Sequence, residues 1–382
     1  MLAIDLPPKS RGLFLYEKYM DNKDNKYWIA FSRIEGIGPR KLKYIYNYFS
    51  DMQSAWEADS YELKKTGLGL NDIEKIITGR TTIKPALELE KSLQHDINTI
   101  TIKDESYPSL LKEIYDPPPL LYIKGSVPSD EDVTLAVVGT RKTTQYGRQI
   151  TPELVSQFSQ AGLTIISGLA LGIDALAHQS AIKSGGKTIA VLACGLDIIY
   201  PVTNDYIGKS IINTGGSLIS EYPPGTLPLK QHFPVRNRII SGLSQGVVII
   251  EGNEDSGSLI TARCALEQNR DVFAVPGNIT SVTSRGPHKL LKLGAKLITS
   301  ANDVLIELNI DQIKKISQNK KIIHQSKEEK KLLSILSSDP LHIDELTQKS
   351  KLNISIINST LTKMEMRGLV RNLGGMYYIL TR

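Results

Sequence analysis

The chain has 382 residues, of which 41% are hydrophobic and 23% are charged, and its formal net charge is +6. This composition excludes a disordered or fibrous chain, and the length is that of about two or three domains. The basic balance permits a polyanionic partner such as nucleic acid but does not require one.

Cysteine usage and the amino terminus indicate the compartment. Cys194 and Cys264 stand in no CxxC or Cys/His spacing, so we expect reduced, buried thiols and no metal site. The amino terminus lacks the basic start and apolar run of a signal peptide, and no stretch approaches the roughly 18 apolar residues of a membrane helix. The sequence therefore predicts a cytoplasmic protein without a membrane span.

Residues 1–25 are expected to form a loose leader, and residues 26–96 read as helical because apolar residues recur at helical spacing. Two Gly-x-Gly turns, at 36–38 and 67–69, each precede an amphipathic helix, as in a helix-hairpin-helix pair. Such turns bare backbone N–H groups that can meet a DNA phosphate. The first copy also supplies the cations Arg40, Lys41 and Lys43. A plain helical bundle, whose glycines only permit sharp turns, is the alternative.

Residues 97–308 change to short β-branched runs that end near glycine and alternate with helical segments. The runs are LAVVG (135–139), LTIISG (163–168), TIAVLACG (188–195), SLIS (217–220), VVIIEG (247–252), VFAVPG (272–277) and KLITS (296–300). This alternation predicts an α/β fold, a doubly wound, mostly parallel sheet that is covered by helices on both faces. A preceding piece, from Ile97 to Gly125, is expected to extend one edge. Ligands of such sheets bind at the carboxyl ends of the strands.

The remainder of the chain separates into a linker and a third domain. Residues 309–326 are rich in lysine and weakly patterned, so they are predicted to link. Residues 327–382 predict three helices followed by a hairpin around Gly374-Gly375, which is the layout of a winged helix. Winged helices read DNA or dock proteins, and the small positive charge of this piece leaves both interpretations open.

Two successive strand ends carry residues suited to phosphate. Gly139 permits a tight turn, and Arg141 can fork onto a phosphate or stack on a base. On the next strand, Gly168 follows Ser167 and frees loop amides. Asp174 and His178 lie four residues apart on one helix face, a spacing that more often marks hydrogen-bonded packing than a catalytic or metal pair.

The segment from Lys230 to Gly277 is the most informative of the chain. It places Phe233 between Lys230 and Arg236, in a Pro-containing loop, and predicts that a helix begins at Asn237 and Arg238. A small-residue loop around Gly257 and Ser258 follows, before a helix predicted from Leu259. Cations, an aromatic face and a Gly/Ser loop at a helix start are the parts that hold a phosphodiester chain and stack one of its bases. Phe233 filling space beneath the loop is the alternative.

The sequence motifs that bind nucleotide cofactors are not matched in this chain. Gly186-Lys187-Thr188 echoes the end of a P-loop, but position 181 is Ala and the segment precedes a strand. No G-x-G-x-x-G follows a strand, and no nucleophile, metal cluster or paired carboxylates accompany the basic residues. The sequence therefore predicts a binding protein, with no cofactor and no metal, before an enzyme.

Taken together, these motifs resemble the DNA-processing protein A family (DprA, also called Smf). The matching stretches are VVGTR, SGLALGIDALAH, TIAVLACGLDIIYP, SLISEYPPG, FPVRNRIISGLS, SGSLITA and VFAVPG, in order across the central domain. The resemblance implies an extended Rossmann-like fold and a protein, usually a dimer, that binds and protects single-stranded DNA. It also implies loading of the RecA recombinase onto incoming strands during natural transformation and recombination.

The resemblance also implies site residues. Family contacts come from an arginine, a lysine and an aromatic that match Arg141, Lys230 and Phe233. Some members carry a lysine after the Tyr-Pro that matches Tyr200-Pro201, but Val202 and Thr203 stand here, and Lys209 is a candidate substitute. The residues predicted to contact DNA are Gly139, Arg141, Ser167, Gly168, Lys230, Phe233, Arg236, Asn237, Gly257 and Ser258.

Two other functions stay open. Nucleotide N-glycoside hydrolases have a similar fold but carry a catalytic glutamate in a Gly-Gly-x-Gly-Thr-x-x-Glu loop, and the corresponding loop at 255–262 lacks it. Glu251 and Glu221 are nearby carboxylates that do not fit that spacing. A scaffold that recruits partners through its flanking domains is the third hypothesis.

Overall fold

The computed structural model describes residues 24–309, 327–336, 340–366 and 369–380. The predicted leader lies outside these residues apart from Asp24 and Asn25, and the predicted linker apart from Asn309. The chain divides into two compact units, Met1–Leu308 and Asn309–Arg382. Within the described residues no helix is long and apolar enough to cross a membrane.

The described part of the first unit, from residue 24, begins with six helices. They are α1 (Asn25–Ser32), α2 (Pro39–Tyr48), α3 (Met52–Glu57), α4 (Ser60–Lys65), α5 (Leu70–Thr82) and α6 (Pro85–Gln94). Gly36 and Gly67 turn the chain with φ of +84° and +88°, a region that glycine enters without strain. Phe31 and Trp56 meet edge to face in the core, with ring centroids 5.0 Å apart.

A nine-stranded sheet follows, with helices on its faces. Its strands are β1 (Asn98–Thr101), β2 (Leu120–Gly125), β3 (Thr134–Val138), β4 (Thr164–Ser167), β5 (Thr188–Val191), β6 (Ser217–Ser220), β7 (Gly246–Ile249), β8 (Asp271–Ala274) and β9 (Lys296–Leu297). The intervening helices are α7 (Ser109–Lys112), α8 (Gln145–Gln160), α9 (Ile173–Lys183), α10 (Asp205–Asn213), α11 (His232–Gly242), α12 (Gly257–Glu267), α13 (Arg285–Lys292) and α14 (Ala301–Glu307).

The strand order is β1-β2-β6-β5-β4-β3-β7-β8-β9, and β3 through β9 run parallel. The chain builds outward from β3 to β6, then returns to place β7 on the other side of β3. The switch point of this doubly wound sheet therefore lies between β3 and β7. This confirms the predicted fold class. The β1–β2 pair extends one edge, as expected for the piece from Ile97 to Gly125. Its antiparallel pairing, of β1 with β2 and of β2 with β6, was not predicted.

The helical region and the sheet share one continuous hydrophobic core, which runs from Trp28 and Phe31 to the strands. Polar contacts join them as well. Ser32 Oγ lies 2.8 Å from the hydroxyl of Tyr122 on β2, and Arg33 Nη1 donates to the Pro224 carbonyl over 3.0 Å. The amino-terminal helices are thus fixed to the sheet at the side where the loop after β6 emerges.

Two helix starts differ from the sequence prediction. α11 begins at His232, not at Asn237, so Phe233 and Pro234 lie in its first turn. Pro234 is tolerated there because the first four N–H groups of a helix have no intrahelical partner. α12 begins at Gly257, since the Ser256 side chain accepts from the Ser258 amide and caps the helix two residues earlier than predicted.

The second unit is a winged helix, as predicted. Its elements are α15 (Lys327–Ile335), β10 (Leu341–His342), α16 (Ile343–Ser350), α17 (Ile354–Met366), β11 (Val370–Asn372) and β12 (Tyr377–Leu380). β10 adds a strand that the sequence did not predict, in the order β10-β12-β11. Leu332, Leu346, Ile357 and Leu361 are fully buried and form its separate core.

Candidate nucleic-acid interface

A cavity of about 280 Å³ opens at the switch point of the sheet. Its walls are the carboxyl end of β3, the face of α11 and the first turn of α12. Six of the sequence-predicted residues line it: Gly139, Arg141, Arg236, Asn237, Gly257 and Ser258. Ligands of doubly wound sheets bind where the strand order reverses. The chemistry of the lining residues indicates the same place.

Two glycines, Gly139 and Gly257, shape the backbone around this cavity. A Cβ on Gly139 would lie 2.6 Å from the Ile173 side chain and 2.8 Å from the Glu251 carbonyl oxygen, so only glycine lets β3 end there. Gly257 has open space around it, at the amino terminus of α12. A helix start with an accessible backbone favours a negatively charged ligand such as a phosphate.

An aromatic cluster lies beside the cavity, in contact with its lining residues Arg141 and Arg236. The guanidinium carbons of Arg141 and Arg236 lie 5.2 Å and 5.9 Å from the centroid of the Phe233 ring, which is cation–π distance. The Tyr200 ring meets Phe233 at 5.9 Å and 61°. Arg141 is exposed, and Tyr200 is 41% exposed. The exposed guanidinium and the two rings can receive a phosphate and a base.

Arg236 has a different environment from Arg141. It is 4% exposed, and its Nη1 donates to the Gly168 carbonyl at 2.8 Å and to the Val191 carbonyl. Burial lowers the pKa of Arg236 to about 10, while Asp174 acts in the opposite direction, so the group stays charged at neutral pH. It ties the ends of β4 and β5 together beneath Phe233.

Ser167 and Gly168 lie below the cavity. The Ser167 hydroxyl is fully buried and donates to the Val137 carbonyl at 2.7 Å, which links β4 to β3. The Gly168 amide donates to Asp174 Oδ2 at 3.1 Å. Both polar groups thus have protein partners, and a direct DNA contact from either stays a prediction.

Asn237 and Lys230 flank the cluster. Asn237 Nδ2 donates to the Gly257 carbonyl at 3.1 Å and so joins α11 to the start of α12. Lys230 is exposed in the turn before α11 and has no ion-pair partner among the described residues. Lys209, the candidate substitute for the missing lysine, instead pairs with Asp205 at 2.6 Å on its own helix.

Sequence reasoning missed three aromatic residues. Tyr200 contacts Phe233, and Tyr222 stacks on His232 with ring centroids 4.2 Å apart and planes 23° apart. Tyr200 stands 33 positions before Phe233, so no local periodicity joins them. His232 directly precedes Phe233, and that adjacency was the available signal.

The carboxylates near the cavity are engaged within the protein. Glu251 is 3% exposed and accepts from the Thr144 hydroxyl at 2.5 Å, the Thr144 amide at 3.1 Å and the Thr283 hydroxyl at 3.2 Å. Glu221 accepts from Arg238 at 2.6 Å. These two side chains brace the walls of the site.

Asp174 and His178 have separate partners. Asp174 accepts from Gly168, whereas His178 Nδ1 lies 2.7 Å from the Thr188 hydroxyl. Desolvation raises the pKa of Asp174, and burial together with the nearby Arg236 charge lowers the pKa of His178 to about 3. In the described residues no group of three or more His, Cys, Asp or Glu side chains is placed to hold a metal ion.

The fold places the chain among the Rossmann-like α/β proteins, a class whose ligands bind at the switch point of the sheet. Comparison with known families is more specific. Residues 98–309 match the family model of DNA recombination-mediator protein A, and residues 319–376 match that of the DprA winged helix domain. The chain belongs to the DNA recombination-mediator protein A family, a family of DNA-processing proteins, which confirms the resemblance noted from the sequence.

Individual relatives cover most of the chain. Protein Smf of Synechocystis is 35% identical over 396 residues, which span 94% of this chain and 99% of that protein. The structure of DNA processing protein A from Streptococcus pneumoniae matches with a TM-score of 0.65 and 38% identity, covering 74% of this chain and 97% of that one. Its counterpart from Helicobacter pylori, described as having a unique single-stranded DNA binding mode, matches with a TM-score of 0.50 and 32% identity, over 56% of this chain and 96% of that one.

Proposed function

We propose that the protein binds single-stranded DNA at the switch-point cavity. Arg141 and Lys230 neutralise phosphates, Phe233 stacks a base, and the backbone near Gly257 and Ser258 holds the sugar-phosphate chain. The observation that carries the proposal is the exposed Arg141, which lines a cavity beside a helix amino terminus and whose guanidinium carbon lies 5.2 Å from the centroid of the Phe233 ring. The single-stranded DNA binding described for the Helicobacter pylori relative supports it.

Selectivity for single strands follows from the same geometry. A base can reach the Phe233 face only when it is free of a pairing partner, because bases within a duplex are stacked and paired. Oligo-dT titrated by fluorescence anisotropy at about 50 mM and about 200 mM salt is expected to bind tightly and to weaken with salt. Equal or better binding of a duplex of the same length would contradict the proposal.

Lys230→Ala tests the phosphate role. Each phosphate contact to a single strand contributes about 0.7 to the slope of log affinity against log salt, so the slope should fall by about that amount. Lys183→Ala is the matched control, since Lys183 is likewise exposed but lies in the last turn of α9. An equal loss of slope in both variants would remove Lys230 from the site.

We further propose that the bound strand is protected and passed to the RecA recombinase during DNA uptake and recombination, by a cytoplasmic homodimer. The recombination-mediator description of the family supports the transfer step. The test is filament formation by RecA on oligo-dT coated with a single-strand-binding protein, with and without this protein. Unchanged filament formation would overturn the transfer step, and a monomer by sedimentation equilibrium would overturn the dimer.

The hydrolase alternative gains no support from the carboxylates near the cavity, because Glu251 and Glu221 already accept hydrogen bonds from Thr144, Thr283 and Arg238. We propose a binding protein, not an enzyme. Release of free base from a nucleoside monophosphate by the purified protein would reverse this assignment.

A further inference from the structure

A second groove lies beside the switch-point site, between the amino-terminal helices and the sheet. It consists of two cavities, of about 800 Å³ and about 400 Å³, which share Pro39, Arg40 and Asp116 as lining residues. We call it the α2 groove, because α2 and the turn before it form one wall. The loop at 115–117 and the first turns of α11 form the other.

Some cations of the α2 groove form ion pairs within the protein, and others do not. Lys41 pairs with Asp72 at 2.6 Å, and Arg33 pairs with Glu88 at 3.1 Å. Arg40 and Lys43 are exposed and have no ion-pair partner in the part of the chain that the structure describes. Arg40 and Lys43 are therefore the charges that an anionic ligand can meet without breaking an existing pair.

Exposed aromatic rings alternate with these cations. Tyr115 is 86% exposed and Tyr44 is 54% exposed, and both line the smaller cavity with Arg40 and Lys43. The Arg40 guanidinium carbon lies 5.9 Å from the Tyr115 ring centroid. Large rings held in solvent beside unpaired cations are the arrangement that stacks bases and tracks a phosphate backbone in single-strand binders.

The α2 groove begins where the switch-point site ends. The larger cavity is lined by Tyr222, His232 and Val235, and His232 is followed directly by Phe233 in the first turn of α11. The Tyr222–His232 stack therefore lies between the Phe233 ring and the cations of α2. A strand seated on Phe233 can leave the site along this stack.

The carboxylates of the groove are few. Asp116 is held by Arg238 Nε at 3.2 Å, and Arg238 is 7% exposed with its Nη1 lacking a hydrogen-bond partner among the described residues. Glu35 is exposed beside Gly36 and has no ion-pair partner in the described parts of the chain. It is the charge that opposes a polyanion here.

We propose that the α2 groove is a second subsite for the same single strand, with Arg40 and Lys43 on phosphates and Tyr115 and Tyr44 on bases. This inference rests on the proposed function, because it extends the strand bound at Phe233. It assigns to the helix-hairpin-helix region a contact through the side chains of α2. The subsite matters only for strands long enough to reach from Phe233 to α2.

The experiment compares oligo-dT of about 6 and about 30 nucleotides, a range that brackets the footprint of single-strand sites. Arg40→Ala/Lys43→Ala is expected to lower affinity for the long strand about tenfold, to reduce its salt slope by about 1.4, and to leave the short strand unchanged. Lys64→Ala/Lys84→Ala is the charge-matched control, since both lysines are exposed on the same helical region outside the groove. Equal behaviour of the two double variants overturns the inference.

Three further variants separate this inference from the proposed function. Phe233→Ala should weaken both strand lengths; if it does while Arg40→Ala/Lys43→Ala has no effect, the proposed function stands and the subsite is overturned. If Phe233→Ala has no effect but Arg40→Ala/Lys43→Ala does, the α2 groove binds the strand by itself. The switch-point assignment is then overturned, and so is the claim that the groove extends that site. Tyr115→Ala should weaken the long strand about fivefold without altering its salt slope, and Glu35→Gln should strengthen it. The opposite result for either variant counts against the subsite.

Photocrosslinking gives a direct readout. A long oligo-dT with 5-iodouracil placed near one end is expected to crosslink to the peptide that contains Tyr115 or to the peptide that contains Tyr44. Crosslinks confined to the Phe233 peptide at every position of the label would overturn the subsite.

Discussion

At the scale of residues, the site separates two arginines that lie at similar distances from one ring. Arg141 is exposed and Arg236 is buried, yet their guanidinium carbons are 5.2 Å and 5.9 Å from the Phe233 centroid. The buried group is bound to backbone carbonyls and fixes the loop, whereas the exposed group is available to a phosphate. The phosphate contact that we propose therefore falls to Arg141, while Arg236 supports the loop, and a direct DNA contact from Arg236 stays a prediction.

Phe233→Ala tests the aromatic face. Loss of base stacking is expected to weaken oligo-dT binding by about 1–3 kcal/mol, with little change in the salt slope because no charge is removed. Phe233→Tyr is the matched control, since it keeps the ring, and it should retain most of the affinity. Anisotropy titrations of the three proteins are the measurement; equal affinity of Phe233→Ala and wild type would show that the ring is only packing.

His178 makes stability depend on pH. Because burial and the nearby Arg236 charge lower its pKa to about 3 in the folded state, the unfolded chain binds a proton below about 6.5 that the folded chain does not. Above about pH 6.5 this titration leaves the free energy of unfolding unchanged. Below that pH the free energy of unfolding decreases, because protonation of His178 favours the unfolded chain. At pH 5 the expected loss is about 2 kcal/mol relative to pH 7.

Urea unfolding at pH 7 and pH 5, for wild type and His178→Gln, measures this effect. Asp174, whose pKa is raised, contributes with the opposite sign, but it is present in both proteins and cancels in the comparison. The glutamine variant should lose about 2 kcal/mol less between the two pH values. An identical pH dependence would place the titration elsewhere.

At the scale of elements, the strands could be predicted from the sequence because most of them are short apolar runs that end at or near glycine. β4, which spans Thr164–Ser167 within LTIISG, illustrates this. Contacts between elements were not accessible in the same way. Arg236 is buried because carbonyls of Gly168 and Val191 converge on it, and those residues lie 68 and 45 positions away in sequence. No local sequence pattern predicts that residues so far apart in the chain will meet.

The backbone chemistry of a helix start explains why α11 begins earlier than the sequence predicts. The start of α11 was placed at Asn237 because Pro234 was taken for a loop residue, but a proline fits the first turn of a helix. Six of the ten predicted site residues nevertheless line one cavity, because strand ends of a parallel sheet share one edge. Tyr200 was missed because only the fold brings it to Phe233.

Thr144→Ala tests the element that follows Arg141. The Thr144 hydroxyl accepts from the Gly147 amide at 3.2 Å, which caps α8, and donates to buried Glu251. Loss of the cap and of one partner of a buried carboxylate is expected to lower the free energy of unfolding by about 1–3 kcal/mol. Thr144→Ser keeps the hydroxyl and should lose less than half as much in urea unfolding; equal losses would assign the effect to the methyl group.

At the scale of the whole molecule, the two units have separate cores. The first unit joins the helical region to the sheet through the continuous core, and the second is closed around Leu332, Leu346 and Ile357. The residues proposed for DNA binding all lie in the first unit. The winged helix is therefore free to carry a second role, such as the docking of a partner.

Deletion of residues 309–382 tests this division. The remaining chain keeps its own core, so it should fold and bind oligo-dT with an affinity within about threefold of the full chain. Circular dichroism and anisotropy are the measurements, and partner binding by the winged helix would be lost in the same protein. A drop in oligo-dT affinity of tenfold or more would instead assign a DNA contact to the second unit.

The strand order sets a condition on synthesis of the protein. β3 pairs with β4 on one side and with β7 on the other, although Leu135 and Gly246 are separated by β4, β5, β6 and their helices. A nascent chain on the ribosome can assemble β3 to β6 first, but one flank of β3 and the wall formed by α11 and α12 are supplied only later in translation. Until then the half-built sheet presents an apolar unpaired flank, and the switch-point cavity lacks the wall that α11 and α12 form. The proposed DNA site is therefore completed late in translation, once both halves of the sheet have met.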